Sequence, residues 1–228
     1  DLRGERQTIE NCIAGGGDGD NNATGGVFVG DYSIVKNCKI LMALAGGLYA
    51  GDYSQLINNI VRVGDGGSLG AGDHSLLEGN QVYASSSTCL SAGEEAKVIN
   101  NSISSCTGRG IEVGSGTLVE GNSVSHAENI GILTGESAIV KNNTVNASLV
   151  GGISTGPGSS IINNTVTGTD GTGITAGYSS KVIGNVVKHS TSVGFGIEID
   201  YGSIVKENVA HANDGGGFKI GWDSLVED

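Results

Sequence analysis

Glu198, Asp200, Lys219 and His189 are the densest group of ionisable side chains in this 228-residue chain whose spacing suits joint chemistry. A carboxylate set against a cation is what proton abstraction beside a carboxyl group requires. The base takes the proton and the cation stabilises the enolate, as a polysaccharide lyase or epimerase would need. Glycoside hydrolysis would instead need two carboxylates at a defined separation. Glu198 and Lys219 stand 21 residues apart. If that offset makes them strand neighbours, a plain cross-strand ion pair accounts for them without catalysis.

A second candidate is the segment GGGDGDNNATG, residues 15–25, in which Asp18, Asp20 and Asn22 alternate. Their oxygens could serve Ca2+, but the distal glutamate of an EF-hand loop is missing. A solvated turn explains the segment without a metal, and no other cofactor is expected. Twelve basic and 24 acidic residues leave a net charge of −12. That balance argues against a nucleic-acid partner, because phosphate binding needs a basic patch. No apolar run approaches the ~20 residues of a membrane span. Glycine supplies 41 residues, against one proline and one tryptophan. Such a composition suits a thin core of small aliphatics crossed by many tight turns.

The elements that position these residues are written in a repeat. Asn59, Asn80, Asn101, Asn122, Asn143, Asn164 and Asn185 recur every 21 residues, and Asn208 follows after 23. Cys38 and Cys12 hold the same slot earlier in the chain. Three residues before the marker stands an aliphatic, from Ile9 and Val35 to Val205, and two after it another, from Ile40 to Val187. Nine or ten after it comes a small residue and then a hydrophobe, as in Gly110-Ile111 and Gly131-Ile132. Each coil therefore holds three short strands of period two. Insertions are confined to Ala14–Gly25 and the loop before Gly196.

A period near 21 with three strands per turn predicts a parallel β-solenoid of about 10–11 coils, one all-β domain over residues 1–228. At ~4.8 Å per coil the rod is on the order of 50 Å long. The pattern "IV.NNTV…GGI" resembles the right-handed parallel β-helix repeat of the pectin-lyase-like superfamily, from about Leu2 to Asp228. The resemblance implies the fold strongly and the function weakly, since that architecture hosts lyases, hydrolases, epimerases, tailspikes and passive surface proteins. Its enzymes carry their acids on or beside the strand that begins at the Gly-Ile column. Here the outward column reads Phe28, Tyr49, Gly70, Ser91, Glu112, Leu133, Ser154, Thr175, Glu198, Lys219, with no acid cluster. Neither an Asp-Pro-His epimerase segment nor paired-Asp hydrolase segments occur.

The register also sorts the remaining residues. His126 and His189 share a slot three coils apart, roughly 14 Å, too far for one metal ion. Cys12 and Cys38 fall on adjacent coils, and Cys89 and Cys106 flank one loop region of two adjacent coils. Pairings 12–38 and 89–106 are expected, with a reduced cysteine stack as the alternative for the first. Oxidised pairs would place the protein outside the cytosol. Sequons at Asn22, Asn100, Asn142, Asn146 and Asn163 arise partly from the repeat turn itself. In VGDYS, AGDYS and AGDHS, each of Asp31, Asp52 and Asp73 is expected to cap its own turn by accepting the N–H two residues on.

Assembly is suggested by the strand before the marker. One outward slot of every coil from the second onward is aliphatic: Ile34, Ile57, Leu76, Ile99, Leu118, Ile139, Ile162, Ile183, Ile204 and Leu225. If both flanking slots face out, an apolar stripe runs along the rod and marks an interface; a bend that tucks one slot inward is the alternative. No cap is evident at either end of the repeat, which would allow head-to-tail stacking. The sequence thus points first to an extracellular structural β-solenoid, a self-associating building block of a surface layer, sheath, fibre or appendage. On that reading it is a homo-oligomer or head-to-tail polymer and leans away from catalysis. The alternative is a carbohydrate-active or carbohydrate-binding β-helix, tailspike-like modules included, with polysaccharide as partner.

Overall fold

The computed structural model describes residues 6–15, 26–43, 46–63 and 67–227. Their strands form three parallel sheets of eleven, ten and ten strands, visited in rotation as the chain winds. The first sheet runs from Thr8–Glu10 and Ile34–Lys36 to Leu225–Glu227, the second from Ile13–Gly15 to Val209–His211, and the third from Val27–Val29 to Phe218–Ile220. Pairing follows the 21-residue offset, as in Leu56 with Leu77, Val82 with Ile103 and Leu90 with Ile111. This is the parallel β-solenoid that the columns predict, with the right hand that the resemblance implies. Among the described residues no helix is long and apolar enough to cross a membrane.

Alternation along each three-residue strand builds the core. The middle residues Val35, Leu56, Leu77 and Val98 of the first sheet are fully buried, as are Val61, Val82 and Val145 of the second. Leu48, Leu69, Leu90 and Ile111 close the third side. The small residue before this last column is required by the packing. A Cβ on Gly110 would stand 2.3 Å from a methyl of Val124 and 2.5 Å from the carbonyl oxygen of Gly131.

Two adjacent asparagine columns do different work. The first, with Asn37, Asn58, Asn100, Asn142 and Asn163, turns the chain at φ near +54°, and Gly79, Gly121 and Gly184 share its slot at about +65°. Asn and Gly are the residues that tolerate this left-handed conformation. The second column is the buried ladder. Asn122 Nδ2 donates to the Val98 carbonyl at 2.9 Å and to Asn143 Oδ1 at 3.0 Å, and its own Oδ1 accepts the Asn101 N–H at 2.8 Å. Every amide is satisfied by its neighbours, which is the condition for burying it.

The aspartate corner is a ladder too, and not the set of self-capped turns expected. Asp31 Oδ1 accepts the N–H of Asp52, Asp52 Oδ1 that of Asp73, and Asp73 Oδ1 that of Glu94, at 2.9, 2.9 and 2.7 Å. The N–H two residues on is already taken, because Ser33 N–H donates to Ser54 Oγ and Ser54 N–H to Ser75 Oγ, at 3.1 and 3.0 Å. Rings stack beside it, with Tyr32 on Tyr53 and Tyr53 on His74 at 5.0 and 4.7 Å.

Both expected disulfides form, Cys12–Cys38 and Cys89–Cys106. The first occupies the ladder slot above Asn59, whose Oδ1 accepts the Cys38 N–H at 3.0 Å. The second closes a loop of sequence separation 17 between the second and third sheets. Loop-closure entropy then predicts that replacing both Cys89 and Cys106 by serine costs about 3 kcal/mol. Urea unfolding with and without reductant measures it. An unchanged midpoint would show that the second crosslink stabilises nothing.

Candidate functional site

The outer face of the third sheet is built by residues that alternate with the buried Leu/Ile column and the small column after it. Phe28 and Tyr49 stack at 5.4 Å at one end of the face. The Tyr49 ring lies over Gly70, where a Cβ would come within 2.8 Å of it, and the Tyr49 hydroxyl meets Ser68 Oγ at 2.5 Å. Further along, Arg109, in the loop before the strand Ile111–Val113, forms an ion pair with Glu112 of that strand, and Thr88 Oγ1 donates to the other carboxylate oxygen of Glu112 at 3.2 Å. Leu133, Ser154 and Thr175 follow, uncharged and half-buried. Then Lys219 Nζ bonds Glu198 Oε1 at 2.6 Å and sits 5.6 Å from the centre of the Phe195 ring.

Of the four residues singled out by their chemistry, Glu198 and Lys219 meet directly on paired strands. Asp200 directly follows the same strand, exposed, with Oδ1 accepting the N–H of Tyr201 at 3.0 Å. It fills a slot that is glycine in the other described coils. A Cβ on Gly51, Gly72 or Gly93 would strike an aspartate Oδ1 of the preceding coil at 2.0 Å. The coil before Asp200 carries Tyr178 there, so no carboxylate stands in the way. His189 does not join the group. It is exposed at the corner after Val186–Lys188, with φ +57°. Lying between the second and third sheets, it projects from a turn and not from the face.

His126 occupies the equivalent corner, with φ +54°. Among the described residues no group of three or more His, Cys, Asp or Glu side chains could hold a metal ion. Asp18, Asp20 and Asn22 lie outside the described residues. The ten aliphatics of the first sheet all point outward, half-buried or exposed, as do their polar partners Lys36, Gln55, Glu78 and Lys97. They cross from one edge of the sheet to the other, so the surface is a chequerboard and not a straight stripe.

Sequence reasoning missed the loops that enter the third sheet. Asp170 Oδ1 accepts hydrogen bonds from Thr191 Oγ1 at 2.6 Å and Ser192 Oγ at 2.9 Å. The Thr191 hydroxyl, with Ser192 adding to it, holds this carboxyl below the ordinary aspartate range. A hollow of about 510 Å³ lies nearby, lined by Ser105, Thr107, His126, Glu128 and Leu149. These loops follow no column, so only their recurrence at one corner could have flagged them.

The family model described as "Right handed beta helix region" matches residues 51–187. No curated protein matches the sequence. Among solved structures, the Azotobacter vinelandii mannuronan C-5 epimerase AlgE6 A-module is similar over 87% of this chain and 68% of its own, at 13% identity and a TM-score of 0.65. A mutant of the periplasmic alginate epimerase AlgG is similar over 97% of this chain and 73% of its own, at 10% identity and a TM-score of 0.66. The Agl-KA catalytic domain covers 99% of this chain and 62% of its own, at 11% identity and a TM-score of 0.51. At these identities the likeness is one of fold.

Proposed function

The chain belongs to the right-handed β-helix family, and on that premise we propose that it binds polysaccharide along the outer face of its third sheet, outside the reducing cytosol. The observation that carries the proposal is the face itself. It is ten strands long, with aromatic rungs at one end and two charged stations, Arg109–Glu112 and Glu198–Lys219, separated by the uncharged Leu133, Ser154 and Thr175. Four coils separate the stations, about 19 Å at strand spacing. Paired carboxylate and cation groups offer both acceptors and donors to sugar hydroxyls, and a face this long suits an extended polymer. The alginate epimerases among the similar structures support a glycan ligand more than the structural building block that the sequence put first. Two disulfides support an oxidising compartment.

The test is titration calorimetry against soluble neutral glucan, polymannuronate and polygalacturonate. One of them is expected to bind. Arg109→Ala and Lys219→Ala should each weaken it about tenfold or more, the worth of a charged hydrogen bond. Lys97→Ala on the first sheet should leave it unchanged. Absence of binding to all three polymers, or equal loss in the Lys97 variant, would sink the proposal. Glu198 beside Lys219 also matches the base and cation of uronate chemistry. Cleavage or epimerisation of a bound uronate polymer, abolished by Glu198→Gln, would make the face an active site.

A further inference from the structure

The first sheet presents a different surface. In the strands from Ile34–Lys36 to Leu225–Glu227 both flanking residues face outward, one aliphatic, the other charged or polar. Over the whole sheet the outward charges are five lysines and four glutamates, a net of +1 on a chain whose net charge is −12. Glu78, Lys97 and Lys181 have no ion-pair partner among the described residues. A nearly neutral face studded with isoleucine and leucine is what an interface between copies needs.

We propose that two copies of this chain pair face to face through the first sheet, antiparallel, about a two-fold axis that passes between Leu118–Glu120 and Ile139–Lys141. A two-fold interface sets one patch against itself, so the pattern must be complementary on reversal. With the axis parallel to the strands, each outward column faces the same column of the other copy in reverse order. The axis at this position is the midpoint of the ten strands from Ile34–Lys36 to Leu225–Glu227, so all ten overlap.

At the centre Leu118 meets the partner's Ile139, and Ile139, which is 44% exposed in the single chain, meets the partner's Leu118. In the neighbouring column Glu120 meets the partner's Lys141. Since Lys141 and Glu120 already bond within the chain at 3.2 Å, the two copies close a ring of four alternating charges beside four aliphatics. Farther out Ile99 meets the partner's Ile162. At the rim Ile34 meets the partner's Leu225 while Lys36 meets the partner's Glu227.

Charge selects this register over its neighbour. Moving the axis onto the strand Leu118–Glu120 sets Glu120 against itself and Lys36 against the partner's Lys206, and leaves Lys97 and Lys141 against the partner's Ile139 and Ile99. Like charges facing one another across an interface are strongly unfavourable, whereas the proposed register has no such rung. Twenty outward residues per copy also reach the roughly 20–30 residues a side of a stable interface.

Sedimentation equilibrium at micromolar concentration is expected to give twice the chain mass. Glu120→Lys alone and Lys141→Glu alone each make the central ring repulsive and should raise the dissociation constant at least tenfold. The double variant, with the pair reversed, should restore the dimer. Unchanged circular dichroism will confirm that these exposed positions leave the fold intact. Ile34→Cys combined with Leu225→Cys gives a second test. The two sites lie nine coils apart in one chain, about 43 Å, so a disulfide between them can only join copies, and mild oxidation should yield a covalent dimer. A monomer at every concentration overturns the proposal. So does association indifferent to both charge variants, a ladder of masses from head-to-tail stacking, or glycan binding lost on Glu120→Lys.

Discussion

Replacing Asn143 with glycine should cost about 3–5 kcal/mol, while the same change at its neighbour Asn142 should cost almost nothing. Asn143 is buried and accepts both the N–H and the Nδ2–H of Asn122, at 2.9 and 3.0 Å. Its own amide donates to the carbonyls of Val119 and Lys141 and to Asn164 Oδ1. Removing it strands a buried backbone N–H and a buried carbonyl, each worth about 1–3 kcal/mol. It also interrupts the ladder for the coils on both sides. Asn142 is an exposed turn residue at φ +57° in a slot where other coils already place Gly79, Gly121 and Gly184. Glycine adopts that conformation freely, whereas Asn142→Val is strained there and should cost more than 1 kcal/mol. Urea midpoints of the three variants decide it. Equal losses at 142 and 143 would mean that the asparagine ladder carries no special weight.

The second large effect couples two columns. Gly72→Ala places a Cβ 2.0 Å from Asp52 Oδ1 and 2.8 Å from its backbone nitrogen. Overpacking of this kind costs about 1–3 kcal/mol, and here the carboxylate must also give up its bond to the Asp73 N–H. The protein contains its own control in Asp200, which occupies the glycine column where the preceding coil has Tyr178. Removing the carboxylate should therefore rescue the alanine. In an Asp52→Ala background, Gly72→Ala is expected to cost at least 1 kcal/mol less than alone, a coupling of the size seen between touching residues. A double-mutant cycle in urea reads it directly, and strict additivity would show that the backbone contact alone excludes a side chain.

These two columns also show how much was legible beforehand. A 21-residue recurrence of asparagine beside aliphatics leaves few alternatives to a solenoid, because like residues must stack on like for the amides to find partners. Both cysteine pairings were legible, the first from its shared column and the second from one loop region of adjacent coils, while a reduced stack stayed open for Cys12 and Cys38. The Glu198–Lys219 contact was legible for the same reason, since paired strands place residues of equal offset side by side. The aspartate bonds were not. Offset shows that Asp31 and Asp52 are neighbours, but which N–H an Oδ1 reaches depends on the rise between corners. His189 misled for a related reason: eight residues before Ile197, it was assigned by proximity in sequence to a face that its turn directs it away from.

The sequence by itself determined the coil, its three strands and its buried asparagine ladder, because each is a periodic property and periodicity is what a stacked fold conserves from rung to rung. Only the tertiary structure decided what the surfaces are. The two charged stations of the third sheet depend on Arg109, Thr88 and Phe195, which belong to loops outside any column. The chequerboard of the first sheet depends on both flanking slots facing outward, where a bend at the corner would have hidden one of them. Side-chain direction at a corner is set by a few φ angles, and those are decided by packing between coils.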